Sequence, residues 1–462
     1  MKDLDEEEQI IKDVPVLHKE EARYKSKTKK TKYYYALIIF ILLFIVIIVI
    51  IIRLIKPKET NDKNYTKKVK SNIFKAKYYI KRKNTLVKLF SSYIKKYISS
   101  MTIDNNIDIK IIDNIFRFNS SGEHIVTVKL NESLNTGKEM FKKCSYLIEV
   151  DLQDLEININ DTSNMFFNCK SLTSVNLKNM NTAHIKNMSY MFYGCNSLTS
   201  IDLSNLNISQ VLNMSNLFNS CYKIESINLN NLDALNVEDM NNMFSSCIEL
   251  KNINLKNFRT KNVKNMTKMF YRCYSLASLD ISSFSTSEVL NMEGMFQFCT
   301  NLSKINFNNF DTSKVTDMNH MFFACKSLIS LDLSKFNTNK VINMSNMFNG
   351  CFLLEKINLN SFDTVNLKQM GMMFYGCLSI SFLNLSNFNS KNVMNMGGLF
   401  GKCITLKKID IRNFTSKALI SNTNLFNEIR ENGIIYYNSI LFDKILLDYD
   451  SIKKWKKIDI SK

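Results

Sequence analysis

All eleven cysteines of the chain fall in one series, and this constrains the fold more than any other feature. They stand at Cys144, Cys169, Cys195, Cys221, Cys247, Cys273, Cys299, Cys325, Cys351, Cys377 and Cys403; the first gap is 25 residues and the other nine are 26. Each follows Met-Phe or Leu-Phe at a fixed offset, as in Met191-Phe192-Tyr193-Gly194-Cys195. A twelfth, degenerate unit keeps Leu425-Phe426 in register and has Ile429 where the Cys would stand. The common unit reads MFxxCxSLxxIDLSxFxTxxVxNMSx. A unit this short cannot bury its own apolar side, so the repeats must stack on one another.

Each segment of the unit has a predicted place. After the Cys, L-x-x-I-x-L (Leu198, Ile201, Leu203) reads as a short strand with one apolar face. A Phe column follows at 258, 284, 310, 336, 362, 388 and 414, then a branched position at Val211, Val237, Val263, Val289, Val315 and Val341. The N-M-x-x-M-F segment is expected to make one or two helical turns. Strands of successive coils pair about 4.8 Å apart, so twelve coils give a rod about 60 Å long. The expected fold class is an α/β repeat solenoid, a leucine-rich-repeat horseshoe or rod of about 11–12 coils with a parallel β-sheet face, over residues 136–429.

The Met-Phe-x-x-Cys, Leu-x-x-Ile-Asp-Leu-Ser, Phe-x-Thr-Ser-x-Val and Asn-Met elements resemble the 26-residue BspA-type leucine-rich repeats, also described as a Mycoplasma-type surface repeat. The stretch Asn306 to Cys325, NFNNFDTSKVTDMNHMFFAC, is close to that family's usual wording. The resemblance implies a surface-exposed protein of a host-associated organism, with adhesion to host matrix proteins or cells as one implied role.

Ahead of the repeats, Tyr33 to Ile52 is a run of 20 residues without a charge, bracketed by Lys32 and Arg53. At about 1.5 Å per residue it covers the hydrocarbon core of a bilayer, and Tyr33, Tyr34 and Tyr35 suit the headgroup level. It is expected to be a single transmembrane helix. No small-residue cleavage site follows it, which argues against a removed signal. Basic residues crowd both flanks, so orientation is argued from size: long domains translocate largely regardless of charge. A cytoplasmic tail 1–32 with an extracellular solenoid is the favoured arrangement.

The formal charge of +19 is concentrated beside this run. Residues 53–96 carry 15 Lys/Arg against 2 Asp/Glu, whereas residues 97–462 carry 37 against 32. A nucleic-acid partner is therefore not expected of the solenoid. Within 53–100, Ile80, Leu86, Val87, Phe90, Ile94 and Tyr97 fall at roughly helical spacing among lysines. We read a basic helical stalk, which lies on anionic headgroups or packs on the first coil. Residues 101–135, with strand-like runs 107–112 and 124–130, are read as the N-terminal cap. Residues 430–462, with a run from Ile434 to Leu447 and the lone Trp455, are read as the C-terminal cap.

Catalysis finds no candidate. His18, His124, His184 and His320 occupy unrelated registers, and there is no phosphate-binding glycine loop, zinc motif or nucleophile elbow. One thiol per coil does not make a metal cluster. Stacked thiols point in parallel, so buried, reduced cysteines filling a core column are expected. No enzyme activity, cofactor, metal or small-molecule substrate is expected. The Asn before Met (Asn187, Asn213, Asn265, Asn291, Asn343, Asn395, with Asp239 and Asp317 in two coils) is expected to form an inward ladder at a bend. Four of these read as glycosylation sequons, which an inward position would block; Asn64 is the better acceptor.

The outward, concave face of the strands is the expected binding surface, and the residues chosen are Thr199, Ser200, Asp202, Ser226, Asn228, Asn252, Asn254, Asp280, Asn306 and Asp332. It is a polar ladder with almost no aromatics, suited to weak multivalent contact with an extended protein or glycan. Two functions follow: a single-pass cell-surface binding or adhesion protein, or a membrane-tethered intracellular scaffold that organises protein partners.

Overall fold

The computed structural model describes residues 72–108, 114–155, 159–230, 232–415, 417–440 and 450–461. Residues 70–462 form one compact unit. The other unit, residues 1–69, lies outside the described residues, and with it the tail, the uncharged run 33–52, Asn64 and the start of the stalk. Among the described residues no helix is long and apolar enough to cross a membrane.

The repeats build a parallel β-solenoid of about eleven coils. From Ser200 on, each repeat contributes two or three residues to parallel strands that pair across 26 residues: Ser200 with Ser226, Ser226 with Asn252, Ser278 with Lys304, Ser330 with Lys356, Phe382 with Lys408. A second ladder of parallel bridges runs Asp161, Asn187, Asn213 and on, one residue per coil, to Ser421. Between these ladders the Leu, Met, Phe, Val and Cys positions are buried in continuous columns. The rings of Phe141, Phe166, Phe192 and their successors to Phe426 stack with centroids 5.3–6.2 Å apart and planes within 20°. Offset stacking of this kind adds to the burial of each ring.

The N-M-x-x-M-F segment is not helical, and no coil from Cys144 to Ile429 contains an α-helix among the described residues. Its amide groups alternate. Met188, Tyr190, Phe192 and Gly194 donate across to Asn213, Ser215, Leu217 and Asn219 of the next coil, while Met191, Tyr193 and Cys195 donate back three residues within their own coil. A helix would keep every N–H inside the coil and leave this side of the stack unbonded. The alternation demands left-handed backbone every fourth residue, at Tyr190 and Gly194 and their equivalents. Asn fills the first of these positions in five coils, as its tolerance of that conformation allows.

A buried hydroxyl column closes the third side. Thr312 Oγ1 donates to the carbonyl of Asn337 and accepts the same residue's N–H, at 2.8 and 2.9 Å. Thr286, Thr338, Thr364 and Ser390 repeat the pattern. One side chain thus does for two backbone groups what ladder pairing does elsewhere.

Residues 73–103 correct the reading of 53–100 as a basic helical stalk. They form β1 (Ile73–Ile80), β2 (Thr85–Lys88), a 3-10 turn at Ser92–Tyr97 and β3 (Ile98–Ile103). The deciding pattern is period two: Phe74, Ala76, Tyr78 and Ile80 are buried, with Lys75, Lys77 and Tyr79 on the other face. Phe90 and Ile94 are buried at the 3-10 turn, whereas Leu86 is 56% exposed, so the six residues share no helical face. Strands β4 (Asn106–Asp108), β5 (Ile115–Phe118) and β6 (Gly122–Leu130) follow. The remaining strands of the first sheet are β7 (Leu147–Asp151) and β8 (Ser174–Asn176), and its order is β4-β3-β6-β1-β7-β8. Because β1 pairs antiparallel with β7, the cap's own sheet covers the open edge of the first coil. Phe74 meets Phe141 edge-on at 5.6 Å and ends the ring column. The cap therefore begins by Ile73, and residue 101 lies inside β3, not at a boundary.

At the other end, Ile434–Tyr437 and Lys456–Asp459 extend the parallel ladder from Lys408–Asp410. The strand-like run stops at Tyr437; residues 441–449 lie outside the described residues. Trp455 is buried, and its indole N–H donates to the Arg430 carbonyl at 2.7 Å. Gly433 lies against that ring, where an added Cβ would come within 2.7 Å of it.

Candidate binding surface

The strand ladder turns alternate residues outward, and this puts nine of the ten predicted residues on one face, while Thr199 lies just ahead of the strand Ser200–Asp202. Thr199, Ser200, Asp202, Ser226, Asn252, Asn254, Asp280 and Asp332 are exposed; Asn228 and Asn306 are half-buried. The column Asp202, Asn228, Asn254, Asp280, Asn306, Asp332 is less free than its exposure implies. Each side-chain oxygen accepts the N–H two residues on, at 2.8–3.2 Å, which fixes the bend that ends the strand. Asn306 Nδ2 also donates to Asp280 at 3.2 Å. Hydrogen bonds from Ser204, Ser282 and Ser334 hold the carboxyls of Asp202, Asp280 and Asp332 below the usual range. Beside the column, Lys251 pairs with Glu225 of the preceding coil at 2.7 Å.

The eleven thiols are buried and unpaired. From Cys169 onward each Sγ–H donates to the carbonyl of the column Phe one coil back, at 2.9–3.3 Å. That carbonyl already accepts its own coil's Cys N–H, so the thiol uses the second lone pair. Burial pushes the thiols up, to about 12 at Cys221, Cys299 and Cys351, and a thiol held neutral is a poor nucleophile. Among the described residues no three His, Cys, Asp or Glu gather as a metal ion needs.

The Asn ladder is not inward. Asn187, Asn213, Asn265, Asn291, Asn343 and Asn395 are half-buried, and each Oδ1 accepts the N–H two residues on at 2.7–3.1 Å. The Met that follows takes the core position, so alternation leaves Asn at the surface. Asn343 and Asn395 line an open groove of about 610 Å³ on this turn side of the coils.

Sequence reasoning passed over the turn side. The two unassigned positions in MFxxC carry half-buried aromatics: Phe167 stacks on Tyr193 at 4.8 Å, and Phe298 meets Tyr271 and Phe323 edge-on at 5.8 and 5.2 Å. The signal is the recurrence of Phe and Tyr two residues before Cys, at Phe167, Tyr193, Tyr271, Phe323 and Tyr375.

With this geometry in hand, the chain can be set beside known proteins. A family described as "Mycoplasma protein of unknown function, DUF285" matches residues 135–253, 223–330, 298–414 and 354–432, and the "BspA type Leucine rich repeat region" matches residues 64–188. The chain belongs to the BspA-like leucine-rich-repeat family. No curated protein matches it. Among solved structures, the TLR13–ssRNA13 complex aligns at 14% identity over 71% of this chain and 52% of that one, with a TM-score of 0.26. The Toll–Spatzle complex from Drosophila aligns at 13% over 62% and 51%, with a TM-score of 0.23. The functional domain of InlJ from Listeria monocytogenes, which includes a cysteine ladder, aligns at 10% over 66% and 67%, with a TM-score of 0.19. The chain spans about half the length of the first two.

Proposed function

We propose that the chain is a membrane-anchored cell-surface protein whose solenoid engages an extended protein or glycan ligand, in adhesion or host interaction. In this reading the run 33–52 is the anchor, residues 1–32 stay in the cytoplasm and the coils stand outside. The observation that carries it is the strand-face ladder, where Asp202, Asn228, Asn254, Asp280, Asn306 and Asp332 recur once per coil. A ligand with its own repeat meets the same groups at each step, and many weak contacts made together bind strongly. The second reading, a tethered intracellular scaffold, is favoured by eleven free thiols. Their burial and bonding to carbonyls weaken that argument, because such thiols resist oxidation in any compartment.

Protease shaving of intact cells carrying a C-terminal tag decides between the two. Loss of the tag without permeabilisation is the expected result. Protection until the membrane is opened overturns surface display and directs the search to cytosolic partners.

A further inference from the structure

The turn-side groove is built differently from the rest of the solenoid. Its lining runs over five coils from Asn319 to Asn427 and contains no Asp, Glu, Lys or Arg, in a chain of which 22% is charged. Instead it presents amides (Asn343, Gln369, Asn395), hydroxyls (Ser345, Ser421, Thr423) and the ring of Tyr375.

The groove exists because side chains are missing. At the position two beyond the ladder residue, other coils carry Ser189, Ser215, Asn241, Thr267 and Glu293, and the remaining coils of the groove carry Asn319, Ser345 and Thr423, whereas Gly371 and Gly397 stand there between them. Neither glycine is in left-handed backbone, so conformation does not require them. A Cβ on Gly371 or Gly397 would come within 3.2 or 3.3 Å of the Asn395 side chain. At the offset that holds Phe167, Tyr193, Tyr271, Phe323 and Tyr375, the next coil has Gly401, where a Cβ would fall 2.7 Å from the Tyr375 ring. The glycines make room for one amide and one aromatic ring. At the groove's end, Asn319 Oδ1 is buried with no hydrogen-bond partner in the chain, which is costly unless something donates to it.

We propose that this groove binds an uncharged oligosaccharide chain laid along the solenoid axis. Asn343 and Asn395 each give one Oδ1 lone pair to the N–H two residues on, so it is their second lone pair and amide hydrogens that a sugar hydroxyl meets, and an aromatic ring takes the apolar face of a pyranose. The lining holds no lysine or arginine, and burial pushes its His320 toward the neutral form; Lys402 Nζ lies 5.9 Å from the Tyr375 ring centroid, a single cation where a phosphate or sulfate chain would need several. The coil rise of about 4.8 Å is close to the advance per sugar of an extended pyranose chain, so successive sugars meet successive coils. The site is distinct from the strand face and rests only on the chain being a binding protein, whichever side of a membrane it occupies.

Calorimetric titration of the full-length chain in detergent with cellohexaose, maltohexaose and chitohexaose tests this. Saturable binding of at least one is expected, unchanged by salt up to about 0.5 M because no ion pair is made. Tyr375→Ala should weaken it about tenfold or more, and Tyr375→Phe should preserve it. Gly397→Thr, which installs the residue found at 267 and 423, should abolish binding while the melting temperature holds. No binding of any of the three overturns the proposal. So does binding that survives Gly397→Thr, or that is lost in Asp202→Ala, which would move the site to the strand face. None of these results bears on the shaving experiment, so the two readings fail separately.

Discussion

The two sides of one coil share a chain and a register yet treat ionisable groups in opposite ways. On the strand side Asp202, Asp280 and Asp332 sit in water, and hydrogen bonds from the residue two on hold their carboxyls low. On the turn side burial pushes the Asp317 carboxyl up and the His320 imidazole down. On both sides the column side chains accept the N–H two residues on, but the strand side is solvated. The turn side withdraws polar groups from water without satisfying all of them, which is the condition under which a ligand's hydrogen bonds gain most.

The strongest test of this contrast concerns what holds each side together. Phe296→Ala, in the middle of the ring column, should cost about 3–5 kcal/mol, read from the urea midpoint. Ser278→Ala on the strand face should cost within about 0.5 kcal/mol. Equal effects would mean that the outward strand groups stabilise the stack as much as its core does. Thr338→Val comes next, at about 1–3 kcal/mol, because it strands a carbonyl and an N–H of Asp363 together. Thr338→Ser should recover most of that loss, and a valine variant of wild-type stability would remove the hydroxyl column from the account of coil pairing.

Two smaller effects sharpen the electrostatic half. The strand-side carboxyls have folded pKa values below the unfolded value of about 3.9. Their contribution is present above that value and disappears as pH falls through the folded one. Replacing Asp202, Asp280 and Asp332 together with Asn should flatten the acid limb of a melting-temperature profile, modestly because all three are exposed. Asp317 has the reverse sign: its folded pKa is raised, so its contribution is greatest in acid and lost as pH rises through that value. Asp317→Asn, the residue of most other coils, should therefore raise the melting temperature slightly at neutral pH and not in acid. If both variants shift the profile the same way, the two sides do not differ as described.

The solenoid was legible because one residue type marked every coil. Cys at a 26-residue step fixed the register, and Leu198, Ile201 and Leu203 gave the strand and its inward face. The turn segment was not legible, since Met188, Met191 and Phe192 satisfy a helical spacing as well as a chain of turns. The left-handed positions that decide the matter hold Tyr190, Lys268 and Met372 as well as Asn and Gly, so no glycine signal announced them. In the cap, the interleaved Lys75 and Lys77 made an alternating strand look like part of a basic run. The strand face was visible as a polar pattern, but the groove depends on Gly371, Gly397 and Gly401, where the informative fact is a missing side chain.

The thiol column has a practical consequence. Every coil from Cys144 to Cys403 holds one cysteine, and the chain has none elsewhere. Under mild denaturant the number of thiols captured by an alkylating reagent therefore counts opened coils, and mass mapping of the modified peptides names them. The protein carries its own ruler, graduated one coil at a time, for following whether a rod of this kind frays from its ends or breaks in the middle.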